Sequence, residues 1–224
     1  MKELAECYIA KSQGKPCPLP ELEIDYSDYA IWQKSYLQGQ RLQDLLQFWQ
    51  SQLEDSETLL LPYDFERPPH PDYKGQDYAF VLNEVLSQQL RQLAKDQQTT
   101  LYVILLSAFY VTLAQLSGQQ DLLIGTPVDN RHHVQTQPLV GYFANSLALR
   151  YRFDSSDSAR TMFQKVHKMV VDVKSHQELP FEKVVDALNV ERDISRHPLF
   201  QVTFGLASFT NESSPTDAWQ PLEL

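Results

Sequence analysis

The sequence predicts an α/β protein, a mixed sheet with flanking helices that follows a purely helical opening. Three observations carry that reading. Residues 1–60 show apolar stripes at helical spacing and no convincing strand. Residues 61–76 hold four prolines and no period, as an extended crossover does. Beyond them, runs with a period of two interleave with runs at helical spacing, so residues 77–224 read as sheet and helix together.

Leu4, Ala5, Tyr8 and Ile9 form the first stripe, and Gly14 followed by Pro16 ends that helix. A Pro-rich link leads to a helical region from about Ser27 to Leu53. Tyr29, Trp32 and Tyr36 mark it before Gly39, and Leu42, Leu45, Leu46 and Trp49 mark it after. Tyr29 and Trp32 are expected in a core. Past the crossover, Tyr78, Phe80 and Leu82 alternate as a strand, and Asn83 caps a helix striped by Leu86, Leu90, Leu93 and Ala94. Thr99 or Thr100 caps the next helix, apolar nearly all round and therefore buried, which stops at Gly118. Leu122, Leu123 and Ile124 suit an interior strand. Leu147, Leu149, Tyr151 and Phe153 alternate with Ser146, Ala148, Arg150 and Arg152 in the clearest strand of the chain. Asp157 or a neighbouring serine opens a helix, Pro180 opens another, and Phe200, Val202, Phe204 and Leu206 alternate as a last strand.

Composition narrows the function. A formal charge of −10 leaves no broad basic face for a phosphate backbone, so no nucleic-acid partner is expected. The longest apolar stretch, Leu101 to Leu116, is interrupted by Thr112 and Gln115 and falls short of the ~20 residues that span a bilayer, so no membrane partner is expected either. The N-terminus has no targeting profile, and the expected compartment is the cytoplasm. Cys7 and Cys17, the two cysteines, form no Cys-x-x-Cys pair and have no histidine at metal-site spacing. Neither a disulfide framework nor a metal site is expected of them. His70 and His167 lack a partner at catalytic spacing. No Gly-rich phosphate loop, Gly-x-Ser-x-Gly elbow or carboxylate cluster occurs, which disfavours nucleotide-dependent, hydrolytic and metal chemistry.

Five stretches stand out: Tyr26-Ser-Asp28-Tyr29-Ala-Ile-Trp32-Gln33; Gly125-Thr-Pro-Val-Asp-Asn130-Arg131; Val140-Gly-Tyr-Phe-Ala-Asn145-Ser-Leu-Ala-Leu-Arg150; His176-Gln-Glu-Leu-Pro180-Phe181-Glu182; and Arg192-Asp193-Ile-Ser-Arg196-His-Pro198-Leu. In this order and at these separations they resemble the fourth to seventh core motifs of nonribosomal peptide synthetase condensation domains. Leu61-Pro-Tyr-Asp64-Phe-Glu-Arg67-Pro68 resembles the crossover between that domain's two lobes. The resemblance covers nearly the whole chain. It implies a two-lobed fold like that of chloramphenicol acetyltransferase, here incomplete. Residues 1–60 would be the helical end of the N-terminal lobe, 61–76 the crossover, and 77–224 the C-terminal lobe, truncated at its end.

The implied activity is amide formation between aminoacyl or peptidyl thioesters on carrier-protein domains, beside an adenylation domain of a larger synthetase. No cofactor is bound directly, and phosphopantetheine arms present the substrates. The family's acid–base motif, His-His-x-x-x-Asp-Gly, should lie upstream of the first helix and is absent from the 224 residues. His132-His133-Val-Gln-Thr-Gln137-Pro138 has two histidines but Gln and Pro where Asp and Gly belong, and it reads as a decoy in a solvated loop. The residues that the resemblance places at the tunnel or the lobe interface are Arg131, Asn145, His176, Gln177, Pro180, Phe181, Arg192, Asp193 and Arg196. Arg131 would pair with the motif's aspartate. Pro180 with Glu182 also makes an adequate helix start, and Arg192, Asp193 and Arg196 also suit a local ion-pair turn. Two other readings stand beside the leading one. One is a non-catalytic docking platform or remnant of the same fold; the other is a coenzyme A-dependent acyltransferase.

Overall fold

A computed structural model of the chain describes residues 2–68, 70, 74–190 and 195–207. The opening is helical. Helix α1 (Lys2–Ser12) closes where the amides of Gly14 and Lys15 reach back to the carbonyls of Lys11 and Ala10, at 3.0 and 2.9 Å, with Gly14 at φ +71°. Helix α2 (Tyr26–Tyr36) begins in a capping box: the Asp25 carboxylate accepts from the Ser27 and Asp28 amides, and Asp28 accepts from the Asp25 amide. Helix α3 (Gly39–Leu53) carries Leu45, Trp49 and Leu53 on its buried face.

Local chemistry also fixes the second half. Asn83 caps α4 (Glu84–Asp96) and Thr100 caps α5 (Leu101–Ser117), which ends at left-handed Gly118. Strand β1 (Asp121–Val128) pairs antiparallel with β2 (Asn145–Arg152), from Asp121 opposite Arg152 to Val128 opposite Asn145. Ser158 caps α6 (Ala159–Ser175), and Pro180 precedes α7 (Phe181–Leu188). Helices α5 and α6 pack on each other and on the two-stranded ribbon, while α3 packs on α7. The core between them contains Trp49, Leu106, Tyr110, Leu122, Ile124, Leu149, Val166 and Val173, each no more than 2% exposed. Burial of such side chains, at roughly 1.5–3 kcal/mol each, holds the layers together.

β2 departs from a one-sided strand. Leu147 to Tyr151 are all buried, so Ala148 and Arg150 of the set that alternation points toward water are covered as well, while Arg152 stays exposed. Arg150 is tolerated there because Asp121 and three backbone carbonyls surround its guanidinium.

Three expectations need correction. The strand expected over 78–82 joins no ladder among the described residues. Tyr78, Phe80 and Val81 are 73–95% exposed, and an extended segment without a neighbouring strand has nothing to pair with. The strand expected over 200–206 shrinks to one parallel bridge, Gly125 to Thr203. There the Gly125 amide donates to Val202 at 2.9 Å and the Phe204 amide donates to Gly125 at 2.8 Å. Pro127, two residues on along the same edge of β1, has no N–H to continue it. Lastly, Cys7 and Cys17 are joined in a disulfide, their Cα atoms 4.8 Å apart. The turn at Gly14 folds the link back along α1, a proximity that spacing signatures do not encode.

Gly125 also lets the chain close. The Phe200 ring lies against it so tightly that a Cβ would fall 2.2 Å from a ring carbon.

Candidate functional site

The motif stretches meet around the start of β2. Asn145, the first residue of that strand, directs its carboxamide at residues 177–181. Its Nδ2 donates to the carbonyls of Gln177 and Leu179 at 2.9 and 2.8 Å, and its Oδ1 accepts from the amides of Phe181 and Ser146 at 3.0 Å. Pro180 offers α7 no side-chain cap, so Asn145 supplies one from across the fold.

The same segment is held on its far side by α3. The His176 ring stacks on Phe48 with centroids 3.6 Å apart, and Trp49 Nε1 donates to the His176 carbonyl at 3.1 Å. Glu178 pairs with Arg41 at 2.5 Å, and that guanidinium lies 4.0 Å over the Tyr36 ring. Phe181 meets His197 and Phe200, with ring centroids 5.2 and 5.5 Å away. Burial pushes the His197 imidazole below its ordinary pKa.

Arg131 serves its own loop. Its Nη1 donates to the carbonyls of Thr136 and Leu139, and its guanidinium sits 4.1 Å over the Phe143 ring. These contacts fix the turn that carries Val140-Gly-Tyr-Phe. On that turn rests α2: Tyr26 Oη donates to the Tyr142 carbonyl at 2.8 Å, and Tyr29 and Phe143 centroids are 4.7 Å apart in a small core with Leu139. Tyr26 packs closely on Gly141, where a Cβ would fall 2.2 Å from the ring. Gly141→Ala is therefore expected to displace Tyr26, cost about 1–3 kcal/mol and loosen the first turn of α2. Hydrogen exchange of the 26–36 amides measures it; unchanged protection there would mean that the ring is no anchor.

The histidine pair lies on the exposed side of this loop. His132 Nε2 is 2.8 Å from Asn130 Oδ1, and His133 stands edge-on to Trp32 at 4.8 Å. Arg196 is half-buried beside Ser195, whose carbonyl accepts from Arg67 at 3.0 Å. Arg192 and Asp193 lie outside the described residues.

Next to the Asn145 junction opens a cavity of about 600 Å³, in the range that small-molecule sites occupy. Leu147, Leu149 and Val170 give it an apolar wall. Asp129, His132, Lys174 and Gln177 bring polar groups to it. Tyr102 also lines it, donating to Thr126 Oγ1 at 3.1 Å; burial raises its phenol above the ordinary value, with the Thr126 bond partly opposing. Of the tunnel and lobe-interface candidates among the described residues, Gln177 reaches this space, and so does His132. Tyr102 and Lys174 lie outside every motif, on helices whose sequence signals only an apolar stripe. Such a cavity can seat an uncharged chain with an amide or amine at its polar side. Among the described residues no cluster of His, Cys, Asp and Glu could hold a metal, and no single helix is long and apolar enough to cross a membrane.

Comparison with known proteins covers the chain almost end to end. The family model described as Condensation domain matches residues 1–223. A linear gramicidin synthase chain of Brevibacillus parabrevis is 38% identical over 216 residues, 96% of this chain but 4% of that protein. Malpinin synthetase of Mortierella alpina is 37% identical over 205 residues, 91% of this chain and 3% of that protein. The chain thus spans only a few per cent of the length of these curated relatives. Among solved structures, the X-domain from teicoplanin biosynthesis superposes with a TM-score of 0.84 and 25% identity, covering 90% of this chain and 46% of that one. The same X-domain, solved in complex with OxyB, gives 0.82 and 26%, over 89% and 45%. A four-domain nonribosomal peptide synthetase bound to AMP and glycine gives 0.74 and 30%, over 80% and 14%.

Proposed function

The chain belongs to the condensation-domain family, and from that premise we propose that it forms part of a nonribosomal peptide synthetase domain that joins two carrier-bound acyl groups. Residues 1–60 are the helical end of one lobe, 61–76 the crossover and 77–224 most of the second lobe. In the reaction an acceptor amine attacks a donor thioester carbonyl. The new C–N bond forms, the C–S bond breaks, and the donor's phosphopantetheine leaves as a thiol. The observation that supports this reading best is that Asn145, in one motif stretch, holds residues 177–181 of another beside the cavity.

In this scheme the chain's own residues position rather than transfer protons. Asn145 fixes the 177–181 segment, so Gln177 faces the cavity, and Arg131 and Gly141 fix the turn on which α2 docks. His-His-x-x-x-Asp-Gly does not occur in these residues, and His132 and His133 have no acidic partner at that motif's spacing. Proton transfer is assigned to that motif, supplied by the rest of the domain. Carrier-protein domains and a neighbouring adenylation domain are the proposed partners, and the cytoplasm is the proposed compartment.

The test joins the chain behind a condensation-domain segment bearing that motif and offers aminoacylated donor and acceptor carrier proteins. Intact mass spectrometry should show a dipeptidyl acceptor with the joined protein and none with the 224-residue chain alone. No dipeptide from any carrier pair would remove the reading. A second reading, a docking platform, draws on the likeness to the X-domain solved with OxyB. It requires stable binding of one partner by a joined protein that never turns over.

A further inference from the structure

The N-terminal region holds a covalent feature that the proposed reaction does not use. Cys7 lies half-buried on α1, and Cys17, its disulfide partner, is exposed in the Lys15-Pro16-Cys17-Pro18-Leu19-Pro20 link. The chain has two cysteines, so no third thiol competes for either sulfur.

The link has little else to hold it. Its last backbone tie to α1 is the Lys15 amide on the Ala10 carbonyl, and the next fixed point is the capping box at Asp25. Among the described residues no hydrogen bond comes from residues 16–24. Leu19 and Ile24 are partly buried there, and the other seven are exposed. The sulfur of Cys17 is therefore the main attachment of this stretch to α1. A disulfide with one cysteine exposed, in a segment that packs at Leu19 and Ile24 and is otherwise exposed, is the kind that exchanges with small thiols rather than persisting as a buried staple.

We infer that Cys7–Cys17 is a thiol–disulfide exchange site whose co-reactant is a low-molecular-weight thiol, and that its reduction releases the link from α1. The thiolate attacks the exposed Sγ of Cys17. A mixed disulfide forms, the Sγ–Sγ bond breaks, and the electron pair leaves on Cys7 Sγ, which takes a proton from water. A second thiol attacks the mixed disulfide and frees Cys17. Two thiols are oxidised to one disulfide, and the protein disulfide is reduced to two thiols. In a compartment rich in thiols the bond is thus transient and reports the redox state, which accords with the rarity of permanent disulfides there. Because α2 follows the link directly, reduction relaxes the path between α1 and the helix that docks on the Gly141 turn. The inference does not depend on the proposed reaction.

The test uses the 224-residue chain prepared in air without reductant, with reduced glutathione as the probe. Alkylation by iodoacetamide under denaturing conditions, read by intact mass, should add no group before glutathione and two after. Glu-C cleavage after Glu21 or Glu23 should quicken about ten-fold on reduction, because the link that carries them is no longer tied to α1 through Cys17. The Cys7→Ser, Cys17→Ser double variant should be cleaved at the fast rate with or without glutathione, while fragments from residues 84–188 appear no sooner. Two alkyl groups before any reductant, or equal cleavage of oxidised and reduced chains, would overturn the inference.

Discussion

Arg150→Ala is expected to lower the unfolding free energy by about 3–5 kcal/mol, as breaking a buried, hydrogen-bonded ion pair does. The side chain is 4% exposed and engaged on two sides. Nε and Nη2 donate to the two Asp121 carboxylate oxygens at 2.8 and 2.6 Å, and the remaining N–H groups reach the carbonyls of Gln52, Glu54 and Asp55. Those carbonyls end α3, whose last turn cannot satisfy them internally. One guanidinium thus ties the end of α3 to both strands. Arg150→Lys should recover little, because an ammonium cannot span a carboxylate and three carbonyls at once. Arg152→Ala, at a side chain 63% exposed, should cost under about 1 kcal/mol although it also touches Asp121. Urea midpoints followed by far-UV circular dichroism measure all three. A loss below about 1 kcal/mol for Arg150→Ala would mean that water replaces the guanidinium.

The same pair sets an acid dependence. Burial raises the Asp121 carboxyl, but hydrogen bonds from Arg150 and Arg152 and their charges outweigh it and hold its pKa below the ordinary value. A depressed folded pKa contributes stability that is complete above the unfolded value, about 4, and lost as pH falls through the folded one. The wild-type chain should therefore lose more stability between pH 5 and the acid limit than Arg150→Ala does.

Much of the fold is legible because its signals are local. Asn83, Thr100 and Gly118 terminate helices through groups within a turn of themselves, so a short window suffices. Strand pairing is not local. Residues 78–82 and 200–206 alternate equally well, yet one has no partner among the described residues and the other is stopped by a missing N–H on Pro127. Arg150 reads as an outward residue and is buried, because its partners lie 29 and nearly 100 residues earlier. Of the site, the motif resemblance picks out Asn145 and the 176–181 segment, but nothing in the sequence says that the two touch. The Arg131 guanidinium donates to carbonyls 5 and 8 residues on, contacts that its motif does not signal. Tyr102 and Lys174 reach the cavity only because α5 and α6 pack side by side.

Asn145→Ala should remove about 2–3 kcal/mol of stability and, in the joined protein, slow dipeptide formation by about ten- to a hundred-fold. Four hydrogen bonds converge on this carboxamide, each worth near 1 kcal/mol net, and partial access to water offsets some of that. The larger effect falls on the site, because without the amide the 177–181 segment loses its tie to β2 and Gln177 is no longer fixed at the cavity. Misplacing a group by about 1 Å is enough to cost a hundred-fold in rate. Asn145→Asp separates the two effects. It keeps an acceptor for the Phe181 amide but sets a second oxygen against the carbonyls of Gln177 and Leu179, so the folded state favours the protonated acid. With its folded pKa raised, the variant should be as weak as Asn145→Ala at pH 7 and regain stability as pH falls through that value, where the acid O–H donates to one of the carbonyls. Thermal midpoints between pH 4 and 7 would show that crossing. Variants that unfold with the wild-type midpoint at every pH would sink the assignment of Asn145 as the residue that joins β2 to α7.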